Sequence, residues 1–468
     1  MARYDLIVIG SGPAGERGAA QAAYFGKKTA LVEKTAPRLG GACTNTGTLP
    51  SKTLRETALA ITGMTSRGLE AAVLALPRPY SASTLMHREH LVVGSERGRI
   101  ARNVERHGIS LHPGTAAFVD AHTVRIQETG ETHSADVFLI ATGSRPHRPP
   151  WIPFEEPEIY DSDEILEIEV IPESMIVLGS GVIAAEYACI FAALGVKVTV
   201  MDGKDRMLGF LDAEIGERFH AELLRLGLTL RLGDAPVKCT LDAKTRVCSV
   251  TTESGAVATA AAVLAAAGRT GNTAGLGLEA LGLVPDKRGN LAVDEHFQTA
   301  VPHIYAAGDV VGFPGLASTS MEQGRVAVCH AFALPWKTRI DPHIPYGIYT
   351  IPEMSYVGAT EEDLKRAGVD YLAGRASMRD NARAEILGAE SGFLKILFAP
   401  DKRILGVHAL GPSVTELIHI GQVALLAGAT IDLFVDAVFN FPTLSELYKY
   451  AAYDGLGALE RREKGQAA

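Results

Sequence analysis

The stretch Leu6-Ile7-Val8-Ile9-Gly10-Ser11-Gly12-Pro13-Ala14-Gly15 joins a short apolar strand to a glycine-rich turn and the first residues of an Ala-rich helix. After that helix a second apolar strand, Thr29–Val32, ends at Glu33. This order of strand, glycine turn, helix, strand and acid is typical of a βαβ unit that binds a dinucleotide. The stretch therefore predicts a parallel α/β fold around a nucleotide site.

A second pattern of the same kind lies further along the chain. The strand Met175–Leu178 leads into Gly179-Ser180-Gly181-Val182-Ile183-Ala184, and after a helix the strand Lys197–Met201 ends at Asp202. A single glycine pattern is weak evidence, but two patterns, each with strand, helix and acid in order, are strong evidence. Two Rossmann-like units are expected.

Each position of these patterns has a physical role. The first glycine makes the tight turn, the second lets the backbone approach a pyrophosphate at the helix N-terminus, and the third position allows close packing of helix on strand. The acid accepts hydrogen bonds from ribose hydroxyls. The candidate cofactor-binding residues are Gly10, Gly12, Gly15 and Glu33 in the first pattern, and Gly179, Gly181, Ala184 and Asp202 in the second.

Two further apolar runs, Val137–Gly143 and Val263–Arg269, are predicted to be buried strands that end at a close backbone approach. Thr142, Gly143 and Gly268 at their ends are therefore additional candidates for cofactor binding. Each run follows a polar, alternating stretch that predicts a small β-meander, over Ala117–Glu131 and over Val237–Glu253. A further segment, Thr53–His107, is mainly helical in pattern, with one long helix predicted over Tyr80–His107.

The pattern changes from about Ile344, where short strands precede two helices near Ser413–Leu426 and Ser445–Leu459. This part predicts an α+β module, and the polar tail from Glu460 is expected to be frayed. A length of 468 residues favours about three domains in total.

Composition excludes several classes of protein. The formal charge of −9 and the absence of basic runs argue against a nucleic-acid surface, and no uninterrupted apolar stretch is long enough to span a membrane. The chain enters a strand at Tyr4 with no export segment before it, so a soluble cytoplasmic protein is expected. The spacing of the five cysteines predicts neither a metal site nor a disulfide framework; they are Cys43, Cys189, Cys239, Cys248 and Cys329.

The segment Gly40–Lys52, which contains Cys43-Thr44-Asn45-Thr46-Gly47-Thr48, resembles the redox-active segment of the flavin disulfide reductases. That family carries two cysteines here, four residues apart, which cycle between dithiol and disulfide beside a flavin. This chain keeps the first as Cys43 and has Thr48 in place of the second. A hydroxyl forms neither a disulfide nor a thiolate charge-transfer pair, so electrons must take another route.

The resemblance extends over almost the whole chain and implies an FAD enzyme. It implies that Gly10, Gly12, Gly15 and Glu33 hold the ADP half of FAD, and that Asp309, in Ile304–Asp309, binds its ribityl chain. Lys52 matches the family lysine near flavin N5, and Glu186 matches the partner of that lysine. A fixed cation there stabilises the negative charge that hydride transfer leaves on the ring.

The resemblance also implies a division into domains. Residues 1–150 and 272–343 would form the FAD-binding domain, residues 151–271 the NAD(P)-binding domain, and residues 344–468 a dimerisation domain. A homodimer is therefore the minimum expected assembly.

A second departure from the family lies near the C-terminus. The residue before Pro442, a histidine acid–base group in disulfide reductases, is Phe441, although Glu446, which orients that histidine, remains. The soluble pyridine nucleotide transhydrogenases share both departures, and Gly268–Thr273 is also similar to theirs. The resemblance then implies hydride transfer from NADPH to NAD⁺ with FAD as cofactor. The two nucleotides would take turns at one site, by a ping-pong route through reduced flavin, without a redox-active disulfide.

Several alternatives stay open. Asp202 favours NAD, because an acid repels a 2′-phosphate, while Lys204 and Arg206 either receive that phosphate or are solvated surface charges. Dual use of NAD and NADP, with NAD favoured, is expected. A second possible activity is that of an NAD(P)H dehydrogenase that passes electrons from FAD to a quinone, dye or oxygen. A flavin-binding interaction protein without turnover is the third, and the role of the lone Cys43 is open.

Overall fold

The computed structural model describes residues 2–63, 81–389 and 391–465 of the chain. Its strands are β1 Ala2–Ile9, β2 Thr29–Glu33, β3 Ser110–Pro113, β4 Ala116–Asp120, β5 Thr123–Ile126, β6 Thr132–Ile140, β7 Ser144–Pro146, β8 Ile159–Asp161, β9 Ser174–Leu178, β10 Lys197–Asp202, β11 Thr229–Leu232, β12 Pro236–Leu241, β13 Cys248–Thr252, β14 Val257–Ala260, β15 Ala262–Ala265, β16 Arg269–Gly271, β17 Ile304–Ala306, β18 Tyr346–Ile348, β19 Met354–Gly358, β20 Leu372–Ser377, β21 Phe393–Phe398 and β22 Ile404–Leu410.

The α-helices among these residues are α1 Pro13–Tyr24, α2 Gly41–Asn45, α3 Thr48–Thr62, α4 Ala82–Arg106, α5 Val182–Ala193, α6 Ala213–Arg225, α7 Ala317–Ala331, α8 Glu361–Ala367, α9 Ala382–Leu387, α10 Val414–Leu426, α11 Asp432–Asp436 and α12 Glu446–Glu463. The helical segment predicted over Thr53–His107 is therefore formed by α3 and α4. Its middle, residues 64–80, lies outside the described residues.

The first sheet has the strand order β3-β2-β1-β6-β5-β4, with β17 also paired to β6. The pairs among β1, β2, β3, β6 and β17 are parallel, whereas β4, β5 and the start of β6 form the predicted meander. Helices α1 and α7 pack closely together at Gly324. A Cβ added to this glycine would lie only 2.2 Å from the carbonyl oxygen of Ala14. The first Rossmann-like unit is built around this sheet.

The second unit has the parallel sheet β11-β10-β9-β15-β8 and a separate antiparallel meander, β12-β13-β14. The chain enters this unit after β7 and leaves it through β16. These two short strands pair antiparallel, Thr270 opposite Arg145, and so tie the two units together at the crossing point.

The C-terminal part is the antiparallel sheet β18-β19-β22-β21-β20 packed with α10 and α12. The predicted fold class, two Rossmann-like units and a C-terminal α+β module, is confirmed. None of the helices among the described residues is long and apolar enough to cross a membrane.

The expected fraying of the tail from Glu460 is wrong for its first residues. Helix α12 continues to Glu463, four residues beyond the predicted end at Leu459. Arg461 and Arg462 lie in the last turn, where positive charge is favourable beside the helix C-terminus. Arg462 also forms a 2.6 Å ion pair with Asp370, which further stabilises this turn.

Candidate active site

The first glycine turn, between β1 and α1, has the geometry of a phosphate-binding loop. Gly10 has φ +102°, and a Cβ there would lie 2.4 Å from the carbonyl oxygen of Ala141. A Cβ on Gly15 would lie 1.9 Å from the carbonyl oxygen of Gly10, so both positions require glycine. Gly12 has more room, since the nearest neighbour of a Cβ there would be the Cα of Gly41 at 3.9 Å. This space in front of the α1 N-terminus fits the pyrophosphate of a dinucleotide.

The second glycine turn, between β9 and α5, repeats this arrangement. A Cβ on Gly179, at φ +121°, would lie 2.5 Å from the carbonyl oxygen of Ala266. A Cβ on Gly181 would meet nothing within 4 Å, and Ala184 is fully buried against the sheet. Both turns thus have a packed first position, an open second position and a packed third position, as a dinucleotide requires.

The acid of the first unit, Glu33, is buried at the end of β2 and held from both sides. Its Oε2 accepts hydrogen bonds from the backbone N of Ser11, at 2.9 Å, and from the Ser11 hydroxyl, at 2.7 Å. Its Oε1 accepts from the backbone N and the hydroxyl of Thr35, at 2.9 and 2.8 Å. A ribose hydroxyl would therefore replace one of these hydroxyl donors. The sequence did not indicate Ser11 and Thr35 as hydrogen-bond donors to Glu33, although Ser11 lies inside the glycine motif.

Asp202, the acid of the second unit, is half-buried at the end of β10. Its Oδ1 accepts a hydrogen bond of 2.9 Å from the backbone N of Lys204, which holds the following loop. The side chains of Lys204 and Arg206 are exposed, and Arg206 donates to the carbonyl oxygen of Gly209 at 2.8 Å. The loop thus presents two acids, Asp202 and the exposed Asp205, and two bases at the same strand end.

The segment resembling a redox centre forms a short helix, α2, followed by α3, which begins at Thr48. Cys43 is a free thiol and half-buried. Burial raises the pKa of the Cys43 thiol, and a hydrogen bond with Thr48 offsets only part of that rise. A protonated thiol beside a hydroxyl thus occupies the place where disulfide reductases have two cysteines.

Lys52 and Glu186 meet although they belong to different units. The Nζ of Lys52, on α3, lies 2.5 Å from the Oε2 of Glu186, on α5. The Oε1 of Glu186 accepts a hydrogen bond of 2.9 Å from the backbone N of Tyr349, and the Lys52 ammonium lies 5.0 Å from the centre of the Tyr349 ring. The cation is thereby fixed where the three parts of the chain meet.

Asp309, which follows β17, belongs to a network across the β7–β16 ribbon. The Ser144 hydroxyl donates to Oδ2 of Asp309 at 2.8 Å, and Nε of Arg269 donates to the same Ser144 oxygen at 2.7 Å. The sequence indicated Asp309 but not Ser144 or Arg269 as its neighbours. Their link depends on the pairing of two strands 125 residues apart.

The residues at the ends of the other two predicted strands also leave groups for a cofactor. The Thr142 hydroxyl is buried and has no hydrogen-bond partner within the part of the chain that the structure describes. Gly143, at φ +67°, has open space where a Cβ would be, and Gly268, at φ +101°, has only an Arg288 nitrogen at 3.9 Å. The Thr142 hydroxyl, between the first glycine turn and Gly143, is therefore available to form a hydrogen bond with a polar atom of a cofactor.

Phe441 stands where the disulfide reductases have their histidine, just before α12. In the single chain this residue is 76% exposed. A phenyl ring neither accepts nor donates a proton, so this position cannot act as the acid–base group of a thiol reaction.

Comparisons with known proteins agree with this architecture. A family model for pyridine nucleotide-disulphide oxidoreductases matches residues 4–324, and the model of their dimerisation domain matches residues 344–452. The chain is similar in structure to the HOCl-induced flavoprotein disulfide reductase RclA from Escherichia coli, at a TM-score of 0.86 and 27% identity over 95% of this chain and 98% of that one. It is equally similar to LpdA from Mycobacterium tuberculosis, at 0.86 and 27% over 97% and 99%.

Curated relatives are more similar in sequence. The soluble pyridine nucleotide transhydrogenase of Mycobacterium tuberculosis is 44% identical over 97% of both chains. That of Pectobacterium atrosepticum is 41% identical over 97% of this chain and 98% of its own. The glycine turns, the family models and these relatives together show that the chain belongs to the soluble pyridine nucleotide transhydrogenases. These are FAD- and NAD(P)-dependent enzymes of the pyridine nucleotide-disulphide oxidoreductase family.

Proposed function

We propose that this protein transfers hydride between NADPH and NAD⁺ without a redox-active disulfide, the two nucleotides taking turns at one site. The observation that carries the proposal is the pairing of Cys43 with Thr48 in place of two cysteines. The single thiol is held protonated by burial. No disulfide can form within this segment, so electrons do not leave through it.

The assignment of sites rests on the two glycine turns. We assign the first turn, with Glu33, Thr142, Gly143 and Asp309, to FAD, which supplies two-electron chemistry by accepting and returning a hydride. The second turn, with Asp202, Lys204 and Gly268, is then left for NAD(P). Because one turn is left for nicotinamide nucleotides, the oxidised product must leave before the second nucleotide enters.

The chain's own groups supply position and charge. Lys52, held by Glu186, is a fixed cation. The family resemblance implies that it lies near flavin N5. Its side chain is 23% exposed, so water screens its charge only in part. A preorganised cation of this kind stabilises negative charge as it develops and does not need to reorganise during transfer.

The proposed division of the chain follows the sheets. Residues 1–150 and 272–343 form the FAD-binding domain, residues 151–271 the nicotinamide domain, and residues 344–468 the dimerisation domain. The match to a dimerisation-domain model over residues 344–452 supports a homodimer.

Steady-state and half-reaction kinetics test the function. With NADPH varied against NAD⁺ or a thio-analogue of it, double-reciprocal lines should be parallel, and either nucleotide in excess should inhibit. In anaerobic half-reactions NADPH should bleach the bound flavin, and NAD⁺ should restore its colour. The matched variant Cys43→Ser should keep most of the turnover, because the thiol takes no part.

Three results would contradict the proposal. Intersecting lines would indicate that both nucleotides bind together at separate sites. Fast reoxidation by a quinone, with none by NAD⁺, would instead favour an NAD(P)H dehydrogenase. Loss of turnover in Cys43→Ser, with FAD retained, would show that the thiol carries electrons after all.

A further inference from the structure

The first sheet must curl back on itself, because its two outermost strands are joined by only two residues. On the path β3-β2-β1-β6-β5-β4, six flat strands would put the edges roughly 24 Å apart. Strand β3 ends at Pro113 and β4 begins at Ala116, and three Cα–Cα steps span at most about 11 Å. The curl brings side chains from distant strands together.

Two histidines meet inside this curl. His112 lies on β3 and His133 at the start of β6, and their ring centres are 4.2 Å apart with the planes tilted by 41°. His133 is 7% exposed, and neither of its ring nitrogens has a hydrogen-bond partner among the described residues. Two unpaired buried nitrogens cost free energy unless another group satisfies them.

A carboxylate completes this cluster. The Oε2 of Glu131 lies 3.6 Å from Nε2 of His133, and the donor atoms of His112, Glu131 and His133 all lie within 4.8 Å of one another. Ligands at about 2.0–2.1 Å from a tetrahedral zinc ion are roughly 3.4 Å apart. The observed spacing therefore needs only small side-chain movements to close around one ion.

Tyr4, on β1 between the two histidine strands, orients His112. Its hydroxyl oxygen lies 2.9 Å from Nε2 of His112. When Nε2–H donates to that oxygen, the Nδ1 lone pair remains for a metal, which is how neighbouring groups usually fix a ligating histidine.

We propose that His112, His133 and Glu131 form a binding site for a divalent transition metal, with zinc as the ion best suited to two imidazoles and one carboxylate. Three protein ligands leave a fourth position for water. The ion takes one of the two unpartnered nitrogens of His133 as a ligand and joins β3 to β6 across the curl. The site is separate from the nucleotide sites proposed above and does not depend on that assignment.

A second group of candidate donors does not have this character. Asp212, Glu214 and Glu361 also lie close together, but the ammonium of Lys395 contacts all three. That cation fills the position that a metal would take. Among the described residues, no lysine or arginine forms an ion pair with Glu131 of the histidine cluster, which instead pairs with His133.

Zinc titration of the untagged, FAD-loaded protein tests the site. After treatment with a chelator and its removal, Zn²⁺ is added in competition with a chromophoric chelator. We expect one saturable site per chain and a rise in melting temperature on zinc addition. Both should be lost in His133→Gln and in Glu131→Gln. Tyr4→Phe should weaken binding roughly 10- to 100-fold, as loss of an orienting group does.

A matched control is available in the same unit. His122 and His303 also stack, at 4.1 Å, but their nitrogens face the carbonyl oxygens of Ala135 and Ala121. His122→Gln should leave zinc binding unchanged. The proposal is overturned if the wild type shows no saturable binding, or if Glu131→Gln binds zinc like the wild type. Glu131 is exposed, so this second variant keeps the test valid if His133→Gln does not fold.

Discussion

The Nζ of Lys52 and the Oε2 of Glu186 lie 2.5 Å apart, although 134 residues separate them in the chain. The Glu186 side chain is 5% exposed, and its other oxygen accepts the backbone N–H of Tyr349. A buried carboxylate with two partners has little freedom to rotate. The pair therefore holds a cation at the junction between the first unit, the second unit and the C-terminal module.

Replacing Lys52 by Met is expected to slow both half-reactions while FAD stays bound. The variant keeps the length of the side chain but removes the charge that stabilises the transition state. The loss of one preorganised electrostatic group typically costs about 10²–10³ in rate. Stopped-flow absorbance of the flavin with NADPH, and then with NAD⁺, measures each half separately.

A suitable control for this variant is Lys402→Met. Lys402 forms a 3.0 Å ion pair with Asp432 in the C-terminal module and is partly exposed. It should leave both rates unchanged. If Lys52→Met slows only one half-reaction, the cation acts on one nucleotide rather than on charge developed in both directions.

Replacing Asp202 by Asn is expected to shift preference towards NADP(H). The change removes a negative charge that repels a 2′-phosphate but keeps a side chain able to bind a ribose hydroxyl. An effect of roughly 1–3 kcal/mol on the ratio of specificity constants is expected for one such contact. The measurement is kcat/KM for NADPH and NADH in the wild type and the variant.

Asp205→Asn is the matched control, because Asp205 lies exposed on the same loop and carries the same charge. It should change the ratio much less. Equal shifts in the two variants would mean that the loop acts only through its overall charge, and not through a contact of Asp202.

Cys43 is expected to be slow to alkylate at neutral pH. Burial raises the pKa of its thiol, so the reactive thiolate is scarce near pH 7 and increases only as the pH rises through that raised pKa. Thr48→Val should slow alkylation further, since the hydrogen bond with Thr48 lowers the pKa. Iodoacetamide labelling followed by mass spectrometry across pH 6–10 gives the rate at Cys43 itself.

The same chemistry predicts the spectrum of the reduced enzyme. Reduction by two electrons should bleach the flavin without a long-wavelength band from thiolate to flavin. A stable red form, or labelling at Cys43 as fast at pH 7 as at pH 10, would show that the thiolate is present. Thr48→Cys alone should not give activity with lipoamide, because Phe441 offers no proton.

The glycine turns could be predicted from the sequence because they are local. Strand, turn and helix follow one another within twenty residues, and the steric need for glycine at positions such as Gly10 and Gly15 is part of the motif. The hydrogen bonds of Glu33 with Ser11 and Thr35 are also nearly local. These hydrogen bonds were missed because the motif predicts that Glu33 binds the ribose of a ligand, and predicts no contacts between Glu33 and its own loop.

Contacts between distant strands could not be predicted in this way. His112 and His133 meet only because the first sheet curls, and no spacing in the sequence indicates it. Lys395 lies in the apolar strand Phe393–Phe398, where a lone lysine would be expected to face water, yet it is 0% exposed. Its partners come from the second unit and from α8, so only the assembled fold explains its burial.

The buried Lys395 makes the stability of the protein sensitive to acid through Glu361. Lys395 lies 2.9 Å from Oε1 of Glu361, and the Tyr371 hydroxyl donates to Oε2 at 2.7 Å. Burial alone would raise the pKa of Glu361, but these hydrogen bonds outweigh it and lower the pKa to about 2. A glutamate in an unfolded chain has a pKa of about 4.3.

Glu361 is therefore expected to contribute stability that is fully present above about pH 4.3 and is lost as the pH falls towards 2. Because the folded-state pKa is the lower one, the unfolded chain takes up the proton first, and acid favours unfolding. The shift corresponds to on the order of 3 kcal/mol.

Glu361→Gln should be less stable than the wild type at pH 7 by a comparable amount. This gap in stability between the wild type and the variant should narrow steadily below pH 4.3. Urea unfolding midpoints at pH 7, 5, 4 and 3 measure this gap, with the exposed Glu279→Gln as a control that should show none. A gap that stays constant from pH 7 to 3 would mean that Glu361 is not held ionised by Lys395, and that its packing alone accounts for the loss.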